Sequence, residues 1–210
     1  MGLGKIAKRI RITLVLAGLA ILLHTAADQL PCCTLSFDEF SGLEAYRLLA
    51  CHFTHWSTEH LLWDLAVFVI LGAVCEWRSP GRHAATLLLS AAGIPLCIMV
   101  WLPQIDSYRG LSGIDTALFG LLAADLLIEK IKDRDVISTI VFGLFLVGLF
   151  AKITMEMMSN ANIFVSDTSF TPVPLSHVVG AIIGLAVGAF VSRSAPTMGV
   201  ESGTCASLSI

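Results

Sequence analysis

Ser112 and His177 are the residues of this chain whose types and surroundings best suit catalysis. Ser112 sits in Gly110-Leu111-Ser112-Gly113, where a loop meets an apolar run. A serine at such a junction also serves as an ordinary helix cap. The flanking glycines add something more, because they let a backbone N–H approach a developing oxyanion. A helix N-terminus favours negative charge at the same point. His177 lies in Pro174-Leu175-Ser176-His177-Val178-Val179-Gly180, at the start of another apolar run. A serine hydroxyl becomes a nucleophile when a base lies within hydrogen-bond reach, and an ionisable residue in an apolar span is a functional candidate by default. The chemistry these two residues would share is acyl transfer, and hence hydrolysis of an amide.

A second group, His52, His55, His60 and Asp64, has the residue types of a metal site without its spacing. No HExxH is present, and His55 and His60 do not form an HxxEH. The group is read instead as polar machinery: His60 and Asp64, one helical turn apart, face a buried oxyanion, while His52 and His55 organise the loop. No metal ion and no organic cofactor is expected. Three more charged features fall in apolar runs. Asp115, one turn below Ser112, suits the wall of a water-accessible cavity. Asp125 lies near the far end of its run, within reach of water. Lys152 and Glu156, at i and i+4, can neutralise each other.

The elements that must position these residues follow from composition. The chain is 56% hydrophobic and 14% charged, against about 25% charged in an ordinary soluble domain. That apolar surplus calls for lipid as solvent, and a net charge of −3 with no basic stripe argues against nucleic acid. A bilayer core needs roughly 20 apolar residues per helix. Six stretches approach this: 10–27, 59–76, 84–102, 112–128, 136–155 and 175–191. With six spans, Lys5, Lys8, Arg9, Arg11, Arg78, Arg82, Lys130, Lys132, Arg134 and Arg193 all fall on one side, leaving only Arg47, Arg109 and Lys152 of the thirteen basic residues elsewhere. The positive-inside rule then makes both termini cytoplasmic. The predicted organisation is a cytoplasmic segment 1–9, a six-helix domain 10–191, and a polar tail 192–210 expected to be disordered. The loop 28–58 carries Leu35, Phe37, Phe40, Leu43, Tyr46 and Trp56, which suit a membrane interface. Gly180, Gly184 and Gly188 form one flat face, and Gly113, Ala117, Gly120 and Ala124 form another; small faces let membrane helices pack closely. Such packing would bring Ser112 and His177 to adjoining helix ends. Of the six cysteines, adjacent Cys32 and Cys33 would bridge each other only with strain. A bridge from either to Cys51 and free buried thiols both stay open.

Taken in order, these residues resemble the rhomboid intramembrane serine proteases. The similarity runs through Tyr46-Arg47, His55-Trp56-Ser57-Thr58-Glu59-His60-Leu61-Leu62-Trp63-Asp64, Leu71-Gly72, Glu76, the GxSG at 110–113, and His177 with its glycines. Rhomboids carry Trp-Arg eight residues before a loop histidine, then His-x4-His-x3-Asn; here Arg47 precedes His55 by eight, and His60 and Asp64 follow in step. The resemblance implies a compact six-helix all-α bundle and a Ser-His dyad rather than a triad. Ser112 would attack the scissile carbonyl and His177 would take its proton. The Ser112 backbone N–H and the His60 side chain would form the oxyanion hole. Arg47, His55, Glu76, Gly110, Gly113, Gly180 and Gly184 would support them.

Two departures from the family pattern stand out. Asp64 occupies the place of the asparagine donor, and an ionised Asp cannot donate. It is expected either to be protonated through desolvation or to hold His60 in its tautomer. Thr116 replaces the tyrosine that stacks beneath the catalytic histidine. The compact build, Phe37-Asp38 leading to Tyr46-Arg47, and Gly-Leu-Ser-Gly-Ile-Asp are similar to the rhombosortase branch, which implies a bacterial inner membrane and exported substrates ending in Gly-Gly, one apolar helix and a basic cluster. The expected partners are thus membrane lipid and a protein substrate with a single transmembrane helix. A rhomboid relative that binds helices without cutting them is the rival expectation.

Overall fold

The computed structural model describes residues 3–26, 35–36, 45–105, 107–159 and 172–191. The expectations for Cys32, Cys33, Cys205, Phe37, Asp38, Phe40, Leu43 and the tail from Ser192 lie outside these residues. Eight helices are described: α1 Leu3–Arg9, α2 Arg11–Thr25, α3 Arg47–Ala50, α4 Thr58–Arg78, α5 Pro80–Trp101, α6 Ser112–Lys132, α7 Val136–Ser159 and α8 Pro174–Val191. A 3-10 turn, Cys51–Phe53, follows α3. Two short strands, β1 Leu35–Ser36 and β2 Ser107–Tyr108, pair antiparallel, with Leu35 opposite Tyr108. Among the described residues the fold is all-α apart from this clasp.

Local chemistry sets the helix ends. Ser57, in an extended conformation, caps α4 by accepting from the His60 N–H at 3.2 Å. Pro80 opens α5 at a position where its missing N–H costs nothing. Lys130 and Lys132 close α6 where the helix dipole favours positive charge. α4, α5 and α7 are each long and apolar enough to cross a membrane, and α2 and α8 are shorter apolar helices. α6 is as long as α4 but carries Asp115, Asp125, Glu129 and two lysines.

Contacts between elements give the helices alternating directions. Glu76, near the end of α4, accepts from the backbone N–H groups of Ile12 and Thr13, both at 2.9 Å, and from the Thr13 hydroxyl at 2.8 Å. These are orphan donors in the first turn of α2, so Glu76 caps that helix from across the bundle. Its role is structural and lies at the end of α4 away from Ser112. At this same end Arg78 and Arg82 grip Asp125 of α6 at 3.0 and 2.6 Å. Asp125 was expected to lie within reach of water; it is partly exposed, and two arginines also neutralise it. Arg9 stacks over Trp77, 4.4 Å from the ring centroid, on the same end.

α8 runs beside α6 in the same direction. A Cβ on Gly180 would fall on the Gly113 carbonyl oxygen, and one on Gly184 on the Ala117 carbonyl oxygen. The two expected small faces therefore meet backbone to backbone. Cys51 and Cys75 are buried free thiols that donate to the carbonyls of Leu48 and Leu118; burial pushes the Cys51 thiol up.

Candidate functional site

The site forms where the starts of α4, α6 and α8 meet the end of α7. Gly110 delivers Ser112 to it. Its φ of +118° is a conformation that favours glycine. Any Cβ there would also press on the His60 ring and on Asp64 Oδ2. The Gly110 N–H donates to the Cys51 carbonyl at 3.1 Å. His52, fully buried, stands 3.1 Å from the Ala91 carbonyl through Nε2 and stacks edge-on to Tyr108 at 5.6 Å. His52 thus ties the 3-10 turn, α5 and β2 together, as expected of a loop organiser. Burial holds its imidazole well below the usual range, at about 4, and lowers that of His55 likewise.

One carboxylate oxygen gathers the donors of this corner. Asp64 Oδ2 accepts the backbone N–H of Leu111 at 2.9 Å and of Ser112 at 3.1 Å. His60 Nε2 lies 3.2 Å from it, and His55 Nε2 lies 3.3 Å away, within ion-pair range but off the axis of a hydrogen bond. Asp64 was expected to act on His60 or on an oxyanion. It touches His60, and it also fills the pair of N–H groups at the N-terminus of α6. Those N–H groups donate to a carboxyl oxygen at a helix N-terminus, a place that also suits an anion.

Ser112 and His177 line one cavity of about 680 Å³. Gly113 packs against Ser176, and its own carbonyl meets Gly180, which fixes the two helix starts side by side. His60, Asp64 and Asp115 line the same cavity, as expected of Asp115. Asp115 is buried, and its Oδ1 has no hydrogen-bond partner. Apolar lining comes from Val67 and Leu71 of α4 and from Leu144 and Phe145 of α7. Arg109 stacks on Trp56, 4.4 Å from the centroid, and both line the cavity. Arg47 opens α3 and is not among the lining residues.

A family model described as the Rhomboid domain matches residues 42–194. The chain belongs to the rhomboid family. No curated protein sequence matches it. Rhomboids are in general intramembrane serine proteases that act on transmembrane substrates, and this rhomboid is an integral membrane protein.

Two contacts in this rhomboid were not foreseen from the sequence. His177 Nδ1 lies 2.7 Å from Glu156 Oε2, while Lys152 Nζ donates to Glu156 Oε1 at 2.7 Å. The Lys152–Glu156 pair was expected; its extension to His177 was not. A cue did exist, since a carboxylate has two oxygens and one lysine engages only one. The Thr116 hydroxyl donates to the Ser112 carbonyl at 2.8 Å, which takes it away from any stacking role.

Proposed function

We propose that this rhomboid is an intramembrane serine endopeptidase in which Ser112 is the nucleophile and His177 the base. Both residues line one cavity beside a pair of backbone N–H groups that converge on one carboxyl oxygen, and this observation carries the reading. Attack of Ser112 Oγ on the scissile carbonyl creates an oxyanion that needs preorganised donors. The Leu111 and Ser112 N–H groups supply them once the Asp64 carboxylate withdraws, with His60 alongside. His177 takes the serine proton and returns it to the leaving amine. Water then hydrolyses the acyl-enzyme.

The substrate is a membrane-tethered protein with one transmembrane helix. Its cleavage segment unwinds, because a helical amide is shielded from attack, and it reaches Ser112 between the apolar walls of α4 and α7. Six helices, α2 and α4 to α8, span the membrane with both termini cytoplasmic, so cutting occurs towards the outer face of a bacterial inner membrane. The rhombosortase reading adds a substrate whose helix follows Gly-Gly and precedes a basic cluster.

The test is cleavage, in membranes, of an exported reporter bearing Gly-Gly, one apolar helix and a basic tail. Wild type cuts it, and Ser112→Ala and His177→Ala, expressed equally, do not. Cutting that survives Ser112→Ala removes the serine mechanism. Cutting of other single-span reporters but not this one removes only the Gly-Gly preference. The seat of Asp64 on the Ser112 N–H favours one second reading, a rhomboid that binds helices without cleaving them. Wild type that crosslinks to single-span helices but cuts none would establish it.

A further inference from the structure

We propose that Glu156 is the third member of a Ser112–His177–Glu156 triad, a positioning residue that fixes His177 as the base. The proposal rests on the reading of Ser112 and His177 as nucleophile and base. It departs from the dyad that the family resemblance implies.

The placement of Glu156 starts on its helix. Leu149, Ile153 and Glu156 recur at i, i+4 and i+7 and are the buried residues of α7, whose other faces are largely exposed. Leu149 and Ile153 pack with Ala181 of α8. The same stripe therefore carries the Glu156 side chain against α8, where Oε2 meets His177 Nδ1 at 2.7 Å. A carboxylate that served Lys152 alone would have no reason to be buried, because the Lys152 side chain is 28% exposed against 4% for Glu156. Lys152 balances the charge, and Glu156 spends its second oxygen on the histidine.

The chemistry follows from donor and acceptor roles. The ionised partner of a lysine accepts and does not donate. The proton facing Glu156 therefore belongs to His177 Nδ1, and Nε2 keeps its lone pair. As the bond forms between Ser112 Oγ and the scissile carbonyl carbon, the Oγ proton moves to Nε2. The ring becomes an imidazolium whose Nδ1–H still points at the carboxylate, which stabilises it. When the C–N bond breaks, the leaving nitrogen takes the proton from Nε2. Glu156 stays ionised throughout and transfers no proton.

The full chain in detergent, labelled at Ser112 by a fluorophosphonate across a range of pH, tests this. Wild type labels with an acid limb set by its base. Glu156→Gln, whose melting temperature is measured alongside, is expected to label roughly 100-fold more slowly or worse. Its acid limb moves to lower pH, because a neutral amide favours the protonated ring less. Glu156→Asp recovers part of the rate. Glu156→Gln that labels at the wild-type rate with an unmoved limb overturns the triad and leaves Ser112 and His177 untouched. Wild type that does not label, or labelling that survives Ser112→Ala, removes the nucleophile reading and the triad with it. If Glu156→Gln does not fold, nitrogen NMR of the wild-type histidine rings decides, with His177→Ala assigning the signal. A proton on Nδ1 upholds the proposal, and a proton on Nε2 overturns it.

Discussion

At the scale of single residues, Asp64 sets the problem. Its Oδ2 rests on the Leu111 and Ser112 N–H groups, where the substrate oxyanion would form. Two negative charges do not share one set of donors, so the proposed turnover would first have to move the carboxylate. Asparagine at the same position keeps an oxygen for those N–H groups and offers an amide donor instead. We expect Asp64→Asn to raise the rate of fluorophosphonate labelling on the order of tenfold, below the roughly 10²–10³ that one donor contributes to a complete oxyanion hole. Slower labelling by a variant that melts like wild type would mean that the charge on Asp64 is needed to hold His55 and His60. His52 yields a second prediction. Its imidazole titrates at about 4 when folded and near 6.5 when free. Between those values the unfolded chain binds the extra proton, so stability falls as pH drops from about 6.5 to about 4, by up to about 3 kcal/mol. Detergent melts across that range should show the loss, and His52→Gln, whose amide can still reach the Ala91 carbonyl, should reduce it, with His55, lowered likewise, supplying part of what remains. Ser112, His177 and His60 could be singled out from residue type and local neighbours, and all three line one cavity. The partners of Asp64 and Glu156 could not be, because the Leu111 N–H lies 47 positions from Asp64 and His177 lies 21 from Glu156. Sequence spacing says nothing about such contacts until the helices are packed.

Elements were easier to read than their partners. Proline at 80, the charged groups at 130 and 132, and the glycine before Ser112 mark ends that a hydropathy run alone leaves vague, and the observed helices begin and end within a few residues of the expected runs. The break between α1 and α2 was not legible. Ile10 leaves the helical region at φ −118°, ψ 31°, and no glycine or proline announces it. The glycine faces were legible as faces, but not how closely they meet. That closeness gives a paired prediction. Gly184→Ala pushes a methyl into the Ala117 carbonyl, and backbone cannot yield as a side chain end does. It should lower stability by about 1–3 kcal/mol and slow Ser112 labelling, since α8 carries His177. Gly143→Ala, where a Cβ meets nothing within 4 Å, should be neutral or stabilise α7 by about 0.5–1 kcal/mol. Equal melting temperatures for the two variants would mean that α6 and α8 stand further apart than described.

The whole molecule is polarised along its helices. One end holds Arg9 over Trp77 and the pairing of Arg78 and Arg82 with Asp125. The other holds Ser112, His60, His177 and the Arg109–Trp56 stack. From Ser112 to Asp125 the helical rise is roughly 20 Å, most of a hydrocarbon core of about 30 Å. The proposed topology puts the two ends on opposite sides of a bilayer, with the basic residues of the short loops choosing the cytoplasmic one. We expect a fluorescent protein fused after residue 210 to fold in the cytoplasm and glow, and alkaline phosphatase inserted within residues 160–171 to be active outside. The same polarity requires the cut product of a reporter to appear on the outer side. Fusions with the opposite pattern would turn the molecule over and put Ser112 at the cytoplasmic face. Substrates would then be processed from inside the cell, and the exported, Gly-Gly-tailed class would be excluded whatever the catalytic residues proved to be.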